Sequence, residues 1–169
     1  MLETPGDIAE LQALLDRSIA QAGPFLRDSF QMPEHSLSAA QLVVYLQGIQ
    51  NVALATTTAR GEPRVAPIGS LFYRGHFCIP TVAAAARARH IAQRPAISLT
   101  HYVGDDLAII VHGQATALPP DHPDFAAIEQ LQRAANGQSP RDWGAGIYLR
   151  ADADSIYTFA RYPEQFSAG

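Results

Sequence analysis

Apolar residues recur at three- and four-residue spacings from Asp7 to Ala22, where Ile8, Leu11, Leu14, Leu15 and Ile19 form one stripe of a helix. Thr4 stands at the capping position, Pro5 just inside, Asp7 in the first turn, and Gly23-Pro24 ends the segment. A second, shorter helix is predicted over Ser38–Gln47, capped by Ser38 and turning Leu42, Val43 and Leu46 inward. Phe25 to Leu37 shows no clear period.

From Asn51 the pattern changes to short runs rich in Val, Ile and Thr, separated by turn residues. Asn51–Thr58 reads as a strand with Val52, Leu54 and Thr56 on one face. A turn over residues 59–63 leads to a strand over Arg64–Tyr73, and Arg74-Gly75-His76 to a strand over Phe77–Pro80. The alanines at 83–86 and 88 then predict a helix running to Arg94, where Pro95 stops it. Strand character returns over Ala96–Val103 and Leu107–Leu118. A surface helix follows over Asp121–Ala135 with Asp121 as its cap, then a loop, then one or two strands over Gly146–Phe159 with Ile147, Leu149 and Ile156 inward. Most of these connections are too short for parallel crossovers, so the economical architecture is a small antiparallel barrel that closes its own edges.

The chain's 169 residues, 47% of them apolar, make one domain with a sizeable core. Its one cysteine, Cys78, excludes an internal disulfide and any multi-cysteine zinc site. No stretch is long and apolar enough to span a membrane and the N-terminus lacks a targeting pattern, so a cytoplasmic location is expected, with no membrane partner. The absence of Lys beside abundant Ala and Arg fits a GC-rich bacterial genome. A net charge of -4 argues against a nucleic-acid partner.

That charge is unevenly spread. Six of the 12 arginines and only one acid, Glu62, fall between Arg60 and Arg94. The middle of the chain therefore presents a cationic surface suited to an anion. Thr81 and the start of the alanine-rich helix supply a hydroxyl beside unpaired backbone N–H groups, with small side chains that leave the backbone open. Arg87, His90 and Arg94 share one side of that helix and Arg89 points the other way. Arg87 suits phosphate because its planar fork matches two oxygens and keeps its charge. Arg64, at a strand start, fits either a phosphate contact or a surface ion pair. In the strand Val65-Ala66-Pro67-Ile68-Gly69-Ser70, Pro67 lacks a ladder donor and Gly69 a side chain; a planar ring lying across it and a bulge made for barrel closure both account for them. There is no phosphate-binding P-loop, dinucleotide fingerprint, nucleophile elbow or metal-ligand spacing.

Leu54-Ala55-Thr56, then Gly61-Glu62-Pro63-Arg64-Val65-Ala66-Pro67, a hairpin, Thr81, the basic helix ending Gln93-Arg94-Pro95-Ala96-Ile97-Ser98-Leu99, and Val111-His112-Gly113-Gln114-Ala115 occur in an order that resembles the pyridoxamine-phosphate-oxidase-like split-barrel family, including its flavin and deazaflavin oxidoreductases. The resemblance implies a mainly β fold: a six-stranded antiparallel split β-barrel over 50–169 with an inserted helix at 82–94 and a surface helix at 121–135, preceded by an N-terminal helical extension over 1–49. It implies a homodimer holding FMN or the deazaflavin F420 at the subunit interface, with the basic window leaning toward F420 and its acidic tail. By motif position Thr81, Arg87 and Arg89 look like the phosphate group's ligands, while Val65, Pro67 and Gly69 line the ring. Relatives often carry Ser or Thr where Val82 to Ala86 stand, so those hydroxyl contacts are missing here. The implied activity is hydride transfer to or from a small organic substrate, with no side chain assigned as catalytic. Tyr73, His101, Tyr102 and Trp143 are candidates for a substrate wall, with ordinary packing the favoured account of each. A non-enzymatic ligand-binding module and a structural dimer without cofactor are the competing readings.

Overall fold

The computed structural model describes residues 2–166. Its six strands are β1 (Ile49–Thr57), β2 (Pro63–Tyr73), β3 (His76–Val82), β4 (Ala96–Val103), β5 (Leu107–Leu118) and β6 (Gly146–Ala160). They close as an antiparallel barrel in the order β1-β2-β3-β6-β5-β4. Helices α1 (Pro5–Gln21), α2 (Pro24–Phe30) and α3 (Ala39–Tyr45) precede the barrel; α4 (Ala86–Gln93) joins β3 to β4, and α5 (Phe125–Asn136) joins β5 to β6.

Reciprocal caps set two helix starts: Thr4 Oγ1 accepts from Asp7 N while Asp7 Oδ2 accepts from Thr4 N, and Ser38 and Gln41 do the same for α3. Helix α2 falls where the sequence shows no period. At seven residues it is too short to display one; Pro24 opens it, and Arg27 bonds back to the carbonyls of Ala20 and Ala22.

Two predicted helices begin later than expected. The helix expected over 82–94 starts at Ala86, because Val82 remains in the β3–β6 ladder opposite Gly146 and Ala83 N–H bonds Ala145 O. Sheet pairing outweighs alanine's helix preference there. The helix expected over 121–135 starts at Phe125, since Pro123 disfavours helical backbone at His122; Asp121 caps nothing, and Asp124 takes the capping position without a side-chain bond. The loop before β6 contains a short 3-10 turn, Pro140–Trp143.

The barrel is split between β2 and β3. These pair only over Leu71–Tyr73 against His76–Cys78, around Arg74-Gly75, both in the left-handed region that a tight hairpin needs. Upstream, β2 pairs with β1 alone, and downstream β3 pairs with β6 alone. Further round the barrel, the β5–β6 ladder shifts register between His112 and Gly113. A Cβ on Gly113 would sit 2.2 Å from the Asp152 carbonyl oxygen, so only glycine fits. The shift moves β6's inward positions from Ile147, Leu149 and Ala151 to Ile156, Thr158 and Ala160.

Past residue 150, β6 has no strand on its β3 side. The N-terminal segment closes that edge. Ala160 N donates to His35 O at 2.8 Å, His35 Nδ1 donates back to Ala160 O at 2.9 Å, and Ile156 N donates to Ser18 Oγ at 3.0 Å. Leu37 N donates to Thr158 Oγ1 at 2.8 Å. Leu11, Leu15, Leu42 and Leu46 of the helices share one core with Val52, Leu54, Ile109 and Leu149 of the barrel. A smaller cluster under α5 joins Leu71, Tyr73, Cys78, Leu118, Phe125, Ile128 and Tyr148.

Candidate functional site

The split leaves two clefts, one on each flank of α4's first turn. The first, of about 460 Å³, is bounded by Ile68–Leu71 of β2, Pro80–Val82 of β3, Ala85 and Arg87, and, across from them, by Gln132, Asn136, Gln138 and Trp143. The second, of about 470 Å³, lies between Leu54 and Thr56 of β1 with Thr58 just past its end, Arg64–Ala66 of β2, and Ala86, Arg87 and His90 of α4. Both fall in the range of small-molecule sites, roughly 300–1,000 Å³. Arg87 lines both.

Ala85 stands at the capping position of α4 and offers no side-chain cap, so the helix's first-turn N–H groups have no side-chain acceptor. Thr81 is a buried β3 residue rather than a helix cap; its Oγ1 accepts from Arg87 Nη1 at 3.4 Å and holds that guanidinium at the cleft wall. Arg89, exposed, folds back onto the Ala84 carbonyl just before the helix. Neither Arg87 nor Arg89 has a carboxylate partner among the described residues.

The rest of the cationic window is otherwise engaged. Arg60 and Arg64 both pair with Glu62, Arg64 at 2.9 Å, and Arg74 lies 3.8 Å from Asp124. Arg94 donates to Ala59 O. Of the six arginines, Arg87, Arg89 and Arg94 have no acid partner among the described residues; the first two stand at the start of α4, Arg87 in the lining of both clefts and Arg89 outside them. That helix start is a place for a phosphate-sized anion.

The other predicted residues divide. Gly69 lines the first cleft, Val65 and Arg64 the second. Pro67 is exposed on β2, outside both linings. Trp143, 47% exposed, stands at the first cleft's rim. The remaining three wall candidates lie elsewhere. Tyr73 is buried in the small cluster under α5, and its phenol is pushed above the ordinary tyrosine range, chiefly by burial. His101 is buried with both ring nitrogens occupied, by the Tyr45 hydroxyl at 2.7 Å and Asn51 O at 2.8 Å. Tyr102 is 65% exposed and touches neither cleft.

Sequence reasoning missed the far wall, Gln132, Asn136 and Gln138, and the hydroxyl-bearing side of the second cleft, where Thr56 Oγ1 and His90 Nδ1 lie 2.9 Å apart. One signal was available. Gln132 follows Phe125 and Ile128 on α5's apolar stripe, a polar residue at a core position.

A family model described as pyridoxamine 5'-phosphate oxidase matches residues 39–158. Among solved structures, the chain is similar to a conserved hypothetical protein from Mycobacterium tuberculosis, with 15% identity, a TM-score of 0.65, and coverage of 79% of this chain and 91% of that one. A FAD-binding protein from Mesorhizobium loti shares 17% identity at a TM-score of 0.57, covering 73% and 93%. An F420 reductase shares 17% identity at 0.55, covering 68% and 94%. No curated protein sequence gives a significant match.

Proposed function

The chain belongs to the pyridoxamine 5'-phosphate oxidase family, and from that premise we propose that it binds a phosphate-bearing, flavin-like coenzyme, F420 or FMN, in the first cleft and uses it in hydride transfer with a small organic substrate. The observation that carries this reading is the pair Arg87 and Arg89, without acid partners at the uncapped start of α4. The residues fit such a group. Arg87, steadied by Thr81, and the first-turn N–H groups supply donors for phosphate; Gly69, whose added Cβ would meet Ile49 at 3.0 Å, keeps the β2 wall low for a planar ring. Trp143 offers an aromatic face at the rim.

When bound, the coenzyme supplies the hydride chemistry. The chain's own part is to fix the phosphate, align the ring against β2 and shield it from water. The second cleft continues past Arg87 toward His90, Thr56 and Thr58, giving space and donors for an acidic tail, which favours F420 over FMN. Val65, 66% exposed at that cleft, and Trp143 present apolar surface beside the site. A second copy of the chain would cover them, and a cytoplasmic homodimer is part of the proposal. No helix among the described residues is long and apolar enough to cross a membrane.

Absorbance and mass spectrometry of gently purified protein, with titration by F420 and by FMN, test this reading. Saturable binding of one at one per subunit, followed by its oxidation or reduction with nicotinamide, quinone or enone substrates, supports it. Binding without turnover of any of these would favour a ligand-binding module, a reading to which the hydroxyl-free run Val82–Ala86 lends support.

A further inference from the structure

Gln132 is 1% exposed on the core-facing stripe of α5, where an aliphatic residue would complete the packing of Phe125 and Ile128. Its Oε1 accepts from the hydroxyl of Tyr148 at 2.7 Å. Tyr148 is fully buried on β6, and burial pushes its phenol far above the ordinary range, so the hydroxyl keeps its proton and donates. A carboxamide held by its oxygen turns its nitrogen the other way. That nitrogen, with two donors, has no protein partner among the described residues, yet it is not sealed into the interior, and Gln132 forms part of the first cleft's wall. A donor on a nearly buried side chain that opens onto a cleft bonds to whatever acceptor occupies that cleft, since such groups are almost always satisfied. The missing acceptor therefore belongs in the cleft.

We infer that Gln132 is a ligand-binding residue whose Nε2 donates to a ring carbonyl of the planar coenzyme, and that Tyr148 is the positioning residue that keeps the amide nitrogen turned toward it. This rests on the reading above that such a coenzyme occupies the cleft. Arg87 and Gln132 line the same cleft from different elements, α4 and α5. A ligand with phosphate at one end and an acceptor-bearing ring at the other matches that pairing. Asn136, one turn on from Gln132, and Gln138 extend the same polar wall.

The test uses full-length wild type, Gln132→Leu, Gln132→Glu and Tyr148→Phe, titrated with FMN and with F420, and infrared difference spectra of the bound ring carbonyls. Gln132→Leu is expected to weaken binding about two- to twelvefold, the range of one neutral hydrogen bond, and to raise a bound carbonyl stretching frequency. Gln132→Glu, which keeps the shape but replaces donors by acceptors, should weaken it at least as much. Tyr148→Phe should give a smaller loss and a shift in the same direction, a signature that a merely structural role would not produce. Wild-type affinity and unchanged carbonyl frequencies in the Gln132 variants would overturn the inference while leaving the coenzyme reading intact. Failure of both coenzymes to bind wild type would overturn both.

Discussion

Ser18→Ala removes one oxygen from the seam between the N-terminal helices and the barrel. Ser18 is buried; its hydroxyl donates to Leu14 O at 2.8 Å and accepts from Ile156 N at 3.0 Å. Leu14 O sits within α1 and keeps its helical partner, so losing that bond costs little. Ile156 N–H is different: it points along the same side of β6 as Ala160 N–H, away from β5 and onto an edge with no neighbouring strand. Without Ser18 it becomes a buried donor with nothing to bond. The cost is about 1–3 kcal/mol, and at roughly 2–4 °C per kcal/mol for a chain of this size the melting temperature should fall by about 2–12 °C. Thermal unfolding of the two proteins measures the fall, and hydrogen exchange should show the Ile156 amide opening faster in the variant. Equal melting temperatures with an equally protected Ile156 amide would refute the view that the N-terminal segment serves as the missing neighbour of β6.

Two further outcomes follow from the charge states of single groups. Cys78 is fully buried and its thiol is pushed up to about 12, chiefly by burial, so it should resist alkylation in the folded protein at pH 8 and react fully only after unfolding, read by mass spectrometry. Asp7 is held below the ordinary carboxylate range, first by the Thr4 backbone N–H that donates to it at 2.7 Å. A depressed folded-state pKa gives stability that is present above the unfolded value and lost as pH falls through the folded one. Asp7→Asn should therefore melt below wild type at pH 7, and the two curves should converge as pH falls below the ordinary aspartate value and through the depressed folded one.

Much of the fold could be read along the chain, because the elements that were legible are set by local rules. The α1 stripe and its Thr4–Asp7 cap lie within one turn of each other, and the left-handed Arg74-Gly75 pair announces a hairpin. What escaped depends on partners distant in sequence. The start of α4 is fixed by Val82 and Ala83 pairing with the strand 60 residues on, against the helix preference of the alanines. The register shift in β6 is imposed by Gly113 on the neighbouring strand. Thr81 and Arg87 stood out by the resemblance and the basic window, but which arginine turns back to Thr81 needed the helix start to be placed; Arg64 and Glu62 likewise needed the turn geometry to show their mutual neutralisation. Gln132 stands out only as a polar residue on an apolar stripe, and its role is unreadable until Tyr148 is placed beside it.

The central claim is that the start of α4 holds a phosphate. Riboflavin and FMN differ by that group alone, so their affinities for wild type and for Arg87→Ala, measured by fluorescence titration, isolate it. The account predicts that wild type prefers FMN by at least about tenfold, as charge-assisted contacts to phosphate imply, and that Arg87→Ala loses most of that preference while binding riboflavin as before. An equal preference in both proteins, or none in wild type, would contradict it.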